Sequence, residues 1–346
     1  MAAVTAALFV AAVAAGTLAM ATARGVPPKV VPNSLVRVDS HTLEAKQVVP
    51  VGDAPDIVVP AGGYVWVTSH VLRDSDSDAL RNAGDRTLTR VDPSTGKAVV
   101  VGGGLAPCGL TADPSGDVWV ADCYPPSTGS RDNVTRVDAT TLDFERTYPV
   151  RGGDGFYRGL AFGDGSLWVS KVAEGDVPND DFVIRVDPRT GAKKTIHLPT
   201  AVTAALAWSE GYGDLWINDF DGGSITRLHP ATGAVETVDD VAINPDFPVV
   251  DGSYVWAGDW ARPTVERLRA VGSPRERTIT LPAKNSQAGV EGVAAGAGEI
   301  WATTPRDHAL WRIDPTTSQV TRIPIPYLPM GVAVNGDDVW VTVRQK

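Results

Sequence analysis

The chain has 346 residues, among them 35 glycines, 26 prolines and 10 tryptophans, and its 41 acidic and 31 basic side chains leave a net charge of −10. That charge opposes binding to nucleic acid or to an anionic membrane surface, and no basic stripe offsets it. Two cysteines exclude a disulfide-dense scaffold and a cysteine zinc cage, and 43% hydrophobic residues exclude long disorder.

In chain order, residues 1–23 come first and carry no charged side chain. The segment is rich in Ala, Val and Leu, and Ala21-Thr22-Ala23 fits a small-x-small cleavage site. No Lys or Arg precedes the apolar run, as one would in a signal peptide. Two readings therefore stand: a cleaved signal, or an uncleaved anchor, since roughly 20 apolar residues span a bilayer. In the second, a cytoplasmic domain could once have preceded Met1. Both place the body outside the cytoplasm, secreted or anchored, with the membrane touched only through this segment. Residues 24–33 hold three prolines and read as a linker. Residues 34–346 form one repetitive domain.

Two phrases recur through that domain. One is an apolar-Trp-apolar strand after a Gly-rich turn, at Trp66, Trp119, Trp168, Trp216, Trp256, Trp301 and Trp340. The other is Arg-apolar-Asp before a turn, as at Arg37-Val38-Asp39, Arg90-Val91-Asp92 and Arg312-Ile313-Asp314, with degenerate copies at Arg227-Leu228-His229 and Arg267-Leu268-Arg269. The phrases interleave. Each repeat reads as four short strands, a to d, bounded by Gly and Pro. Gly96, Gly191 and Gly233 close c–d hairpins that need positive φ. A period of about 40–50 residues with four strands predicts an all-β, seven-bladed propeller. The chain enters at strands c and d (Leu35 to Val51) and leaves after strand b (Val339 to Val343), so its two ends should make one composite blade that closes the ring. The tryptophans, repeated once per blade, are expected to fill the seams between sheets. The Asp of the second phrase is expected to bond its own turn, and the Arg to pair across blades.

Function should be written where the repeat varies. Two positions per blade point to the channel mouth. The residue before the small residue of strand a is Asp56, Cys108, Arg158, Ala204, Asp246, Glu291 and Met330 in turn. The residue three after each Trp is Ser69, Asp122, Lys171, Asp219, Asp259, Thr304 and Val343. The expected ligand-binding set is Asp56, Arg158, Lys171, Asp219, Asp246, Asp259, Trp260 and Glu291. Asp246, Asp259 and Glu291 form an acidic arc able to take Ca²⁺ or Mg²⁺, the only cofactors the sequence suggests. A second calcium candidate is the loop Asp74-Ser75-Asp76-Ser77-Asp78 with Asp85, although Ala79 stands where a calcium loop wants Gly. A turn at Pro114-Ser115-Gly116 places Ala112 opposite Trp119 and, in the same register, Cys108 opposite Cys123. In an oxidising compartment that pair is expected to be a disulfide.

The repeat, seen in Leu35 to Val51 followed by Gly63-Tyr64-Val65-Trp66-Val67-Thr68, resembles the virginiamycin B lyase-like (streptogramin lyase-like, YVTN-type) propellers, in particular extracytoplasmic actinobacterial ones. The resemblance spans residues 34–346. It implies that an active lyase would carry His at two neighbouring strand-a positions, a Trp-Phe-Thr-Glu-Trp phrase between them, and Mg²⁺. Here those places hold Asp246, Glu291 and Trp256-Ala257-Gly258-Asp259-Trp260. Imidazole is the natural base near neutral pH, whereas an exposed carboxylate titrates near 4 unless burial or like charge raises it. No catalytic residue is therefore assigned. The expected function is ligand sensing or protein binding by a monomer, the ligand being a small molecule or a protein. The alternative is a metal-dependent lyase or hydrolase using the acidic mouth.

Overall fold

The computed structural model describes residues 26–69, 87–101, 105, 107–122, 133–150, 155–156, 159–170, 172–173, 182–198, 203–271 and 275–345. The chain is a seven-bladed β-propeller. Each blade is a four-stranded antiparallel sheet in the order a-b-c-d, and a two-stranded ribbon, Gly155–Phe156 with Val172–Ala173, projects from the third. Blade 1 starts with strands Pro55–Ala61 and Tyr64–Ser69, blade 2 with Pro107–Ala112 and Val118–Asp122, and blade 3 with Leu160–Gly163 and Ser166–Ser170. Blade 4 starts with Thr203–Ser209 and Asp214–Asp219, and blade 6 with Gly292–Gly296 and Glu299–Thr304. Blade 5 comprises Pro245–Asp251, Tyr254–Asp259, Thr264–Arg269 and Arg275–Thr280. Each strand a contacts the strand a of both neighbouring blades, so the seven inner strands form a closed ring around the channel.

Blade 7 is the composite. Its strands a and b are Leu328–Asn335 and Asp338–Arg344, and its strands c and d are Ser34–Asp39 and Ala45–Pro50. Ser34 pairs with Val343, Arg37 with Trp340 and Asp39 with Asp338. The split of the repeat between the two ends thus closes the ring by main-chain hydrogen bonds.

The seams explain the two phrases. All seven strand-b tryptophans are buried. Each packs into the blade that follows: Trp66 against Leu110 and Val118, Trp216 against Val255 and Leu268, Trp340 against Val58 and Val65. Behind each Trp stands the Arg of the second phrase, directly opposite on strand c. Trp66 pairs with Arg90, Trp119 with Arg136, Trp168 with Arg185, Trp216 with Arg227, Trp256 with Arg267, Trp301 with Arg312 and Trp340 with Arg37. Several guanidiniums lie over the indole, Arg185 at 5.3 Å and Arg267 at 5.4 Å from the ring centre. Some also reach the next blade: Arg90 donates to the Thr140 carbonyl at 3.0 Å and Arg267 to that of Pro315. The Asp of the phrase accepts backbone N–H groups of its own turn, as Asp92 does from Ser94 and Thr95. The Ser94 hydroxyl, which donates to the same oxygen at 2.6 Å, and then these backbone groups hold Asp92 down at about 2. Gly96, Gly191 and Gly233 take φ of 72°, 72° and 74°, as the c–d hairpins require.

The a–b hairpin of blade 2 departs from the expected register. Thr111, not Ala112, faces Trp119, and Ala112 faces Val118. Asp113 and Asp117 close a three-residue loop in which Gly116 has φ 92°, one residue shorter than the expected turn implies. A bulge between Pro107 and Gly109 then slips the register again. Cys108 sits in that bulge and is disulfide-bonded. Its expected partner, Cys123, lies outside the described residues, as do residues 1–25 and the acidic loop from Asp74 to Asp85. No described helix is long and apolar enough to cross a membrane.

Candidate functional site at the channel mouth

Five of the strand-a mouth positions lie on bulges. Strand a shifts register between Pro55 and Val58, between Pro107 and Gly109, between Thr203 and Leu206, between Asp246 and Val249, and between Pro329 and Val332. A bulge re-aims the side chain it carries, and the non-repeating residues Asp56, Cys108, Asp246 and Met330 sit there. Glycine follows Cys108, Glu291 and Met330, where the inner strands nearly touch, whereas Ile57 follows Asp56. A Cβ on Gly331 would overlap the Asp56 carbonyl oxygen, and one on Gly292 would come 2.9 Å from that of Met330. Phe247 breaks this pattern. It occupies the small-residue place with φ 44°, an uncommon conformation for a bulky side chain, and its N–H donates to Asp246 Oδ1 at 2.9 Å.

The acidic arc is buried. Asp56 is 5% exposed and Asp246 6%. Arg344, the last residue of strand b in blade 7, pairs with Asp56 Oδ1 at 3.1 Å and donates to the Pro55 carbonyl at 3.0 Å. Asn218 Nδ2 donates to Pro245 O at 2.7 Å and lies 3.4 Å from Asp246 Oδ1. Glu291 is partly exposed and accepts the indole N–H of Trp260 at 3.0 Å. Burial, then the charges of Asp56 and Asp246, push Glu291 up to about 7, against the opposing pull of Arg344 and Trp260. These three carboxylates therefore act on one another at one end of the channel. Trp260 is 43% exposed beside them, edge-on to Phe220 at 5.8 Å, with the Arg306 guanidinium 5.8 Å from its ring centre.

Two expected members hold turns. Asp259 accepts Ile243 N–H on one oxygen and Asn244 and Ala261 N–H on the other, at 2.9–3.2 Å. Asp219 accepts Gly222 N–H at 2.8 Å and lies 3.4 Å from Ser224 Oγ. Both fix the loops around the mouth. Arg158 and Lys171 lie outside the described residues, and so does the side chain of Ala204. Among the described residues, one carboxylate trio is close enough to share a cation: Asp117, Asp138 and Glu145. Arg136 already pairs with Asp117 at 2.7 Å and Glu145 at 3.3 Å, so this trio reads as an ion-pair network.

The sequence reading missed Arg344, Phe247 and a set of bridging side chains two residues after the Trp. Thr342 Oγ1 takes the Gly331 N–H of its own blade and donates to the Asp56 carbonyl of the next at 2.7 Å. Thr303 reaches the Met330 carbonyl in the same way, and Asn218 links Ala205 to Pro245. The signal was present: Thr68, Ser170, Asn218, Thr303 and Thr342 are polar at a position inside a buried strand.

No family model and no curated protein matches this chain. Solved structures do, and they show the fold. The chain is similar to the RRP9 WD40 repeats, with TM-score 0.64 and 12% identity over 90% of this chain and 93% of that one. It is similar to Kuenenia stuttgartiensis hydrazine synthase, with TM-score 0.64 and 16% identity over 84% and 92%. It is also similar to the β-propeller domain of Cps50 (Swd1) from Myceliophteria thermophila, with TM-score 0.63 and 11% identity over 84% and 96%.

Proposed function

We propose that this chain is an extracytoplasmic, non-catalytic binding propeller that takes a cationic group of a small molecule or protein at the channel mouth. One observation supports this reading above others: Asp56, Asp246 and Glu291 converge electrostatically on one end of the channel, beside the half-exposed ring of Trp260. A cation entering there would relieve the mutual repulsion of the carboxylates, and an indole adds cation–π attraction. Ca²⁺ and Mg²⁺ are the simplest such cations, drawn by the combined field of Asp246, Glu291 and Asp56 with Asp259 behind them, rather than ligated by all three carboxylates at once. The test is thermal melting with CaCl₂, MgCl₂ and a lysine-rich peptide, in the wild type and in the double variant Asp246→Asn, Glu291→Gln. A ligand that binds the native state raises the midpoint by mass action. The expected rise is present in the wild type and absent from the double variant. Equal midpoints with and without every probe would overturn the reading.

A second reading has its own observation. Glu291 stands where the resemblance to virginiamycin B lyase-like propellers implies a histidine base, and its pKa of about 7 suits a general base near neutral pH. Metal-dependent opening of a streptogramin lactone by the wild type, lost in Glu291→Gln, would favour a lyase over a binding module.

A further inference from the structure

Trp260 stands half-exposed at the channel mouth on a pinned backbone. Its N–H donates to the Asn244 carbonyl at 2.9 Å, and Asn244 Nδ2 donates in turn to the Phe220 carbonyl at 2.9 Å. Ala261 N–H is held by the Asp259 carboxylate at 2.9 Å, and Arg262 N–H by the Asp259 carbonyl at 3.2 Å. A Cβ on Gly289 would overlap the Trp260 carbonyl oxygen, so the loop into blade 6 packs directly against this turn. The freedom left to Trp260 is that of its side chain.

Three contacts hold the indole. Phe220 meets it edge-on, the Arg306 guanidinium lies 5.8 Å from its ring centre, and its N–H donates to Glu291 Oε2 at 3.0 Å. A phenyl ring does not ionise and a guanidinium stays charged. The bond to Glu291 is the contact of the three that can change with pH. Glu291 is itself fixed at its backbone, where its N–H donates to the Thr303 carbonyl at 2.9 Å.

The charges that act on Glu291 come from other strands. Burial, then Asp56 of blade 1 and Asp246 of blade 5, oppose its ionisation, while Arg344 of blade 7 and the indole N–H favour it. Among the described residues, the turns packed here add Asp259, Arg262, Arg306 and His308, whose Nδ1 meets the Tyr327 carbonyl. Glu291 is in no group close enough to share a metal ion, so Asp56 and Asp246 act on it through their charge.

An N–H donated to an ionised oxygen makes a bond about twice as strong as one to a neutral oxygen. The coupling is reciprocal: the indole eases ionisation of Glu291, so ionisation tightens the bond by the same free energy. Burial and the two neighbouring carboxylates lift the changeover out of the usual carboxylate range to about 7.

We propose that Glu291 and Trp260 form a pH-operated latch on the channel mouth, in which the ionised carboxylate fastens the indole at the rim and protonation lets it swing on its fixed backbone. As regulation, the latch rests on the reading of the mouth as a site for a cationic group. On the alkaline side the mouth offers full negative charge and a fixed aromatic wall. On the acid side it loses both, and a bound cation is released.

The test is ¹⁹F NMR of the whole chain labelled with 5-fluorotryptophan. Trp260→Phe identifies the Trp260 signal by its loss, and the other tryptophans serve as internal references. Transverse relaxation of that signal should slow, as it does for a more mobile ring, on the acid side of a step centred at about pH 7. Glu291→Gln keeps an acceptor without the charge, so it should lose the step and show the mobile ring at every pH. His308→Gln should keep the step. Constant relaxation between about pH 5 and about pH 9, or a step that survives in Glu291→Gln, would overturn the latch. Latch and cation site fail separately. A step with no cation-dependent rise in melting supports the latch and removes the cation site. A rise of equal size on both sides of the step removes the regulation and leaves the binding.

Discussion

At the residue scale, Glu291 ties stability to pH. Its pKa is raised to about 7 in the folded protein, from 4.5 as a free side chain. Between those values the native state holds a proton that the unfolded chain has lost. Its contribution to stability is therefore full below about pH 4.5 and is lost as pH rises through about 7. Glu291→Gln should remove that slope. Allowing for partial exposure, the variant should be more stable than wild type at pH 8 by about 1–2 kcal/mol, and nearly equal to it at pH 4.5. Urea melts at the two pH values measure this, and an unchanged difference would return Glu291 to an ordinary solvated carboxylate. The type of each mouth residue was legible in the sequence, because it breaks the repeat. Its environment was not. Asp56 and Asp246 become buried through strands of other blades, and Arg344 reaches Asp56 from nearly 290 positions away in the chain. Neighbouring letters carry no trace of such contacts.

At the element scale, the strand pattern was readable and the register less so. Strand b is marked by its Trp, strand c by its Arg, and the two face each other in all seven blades. Strand a hides its bulges because they lie at its first residues, where too few positions remain for the inverted alternation to show. The Ala112–Trp119 pairing failed for another reason, a turn one residue shorter than expected between Asp113 and Asp117, while the strands themselves were placed correctly. The bulged strands also pack most tightly. Gly331 lies against the Asp56 carbonyl and receives the bridge from Thr342. Gly331→Ala should force the inner strands of blades 7 and 1 apart, at a cost of about 1–3 kcal/mol. Gly336→Ala is no control, because Gly336 has φ 59°. Gly211→Ala is, because nothing lies within 4 Å of its Cβ position and its φ is not positive. Chemical denaturation of the two variants should separate them, and equal midpoints would mean that the strands can part without loss.

At the whole-molecule scale, the ring is stabilised by neighbours and sealed at one sheet. Each blade buries its Trp in the next, so losing any seam exposes two sheet faces. Seven-fold closure was legible from the phase of the repeat alone, because half a blade at each end cannot be stable apart. Deleting residues 34–51 removes strands c and d of blade 7 and the partners of Trp340. The expected result is loss of cooperative unfolding for the whole domain, seen by near-ultraviolet circular dichroism and by melting. A deletion variant that melts as sharply and as high as wild type would refute closure through that sheet.

The composite blade also fixes which way the channel mouth points. Ser34 lies opposite Val343, and Gln345 N–H reaches Asn33 Oδ1, so the chain enters the ring at the end where Arg344 meets Asp56. On the proposed extracytoplasmic, anchored reading, a tether through residues 24–33 would hold the propeller with its channel mouth turned back toward the anchoring surface, not out toward bulk solution. Ligands would arrive edgewise, through a gap whose height is set by that short proline-bearing stretch. Lengthening the stretch would change who can enter without altering a single contact in the site.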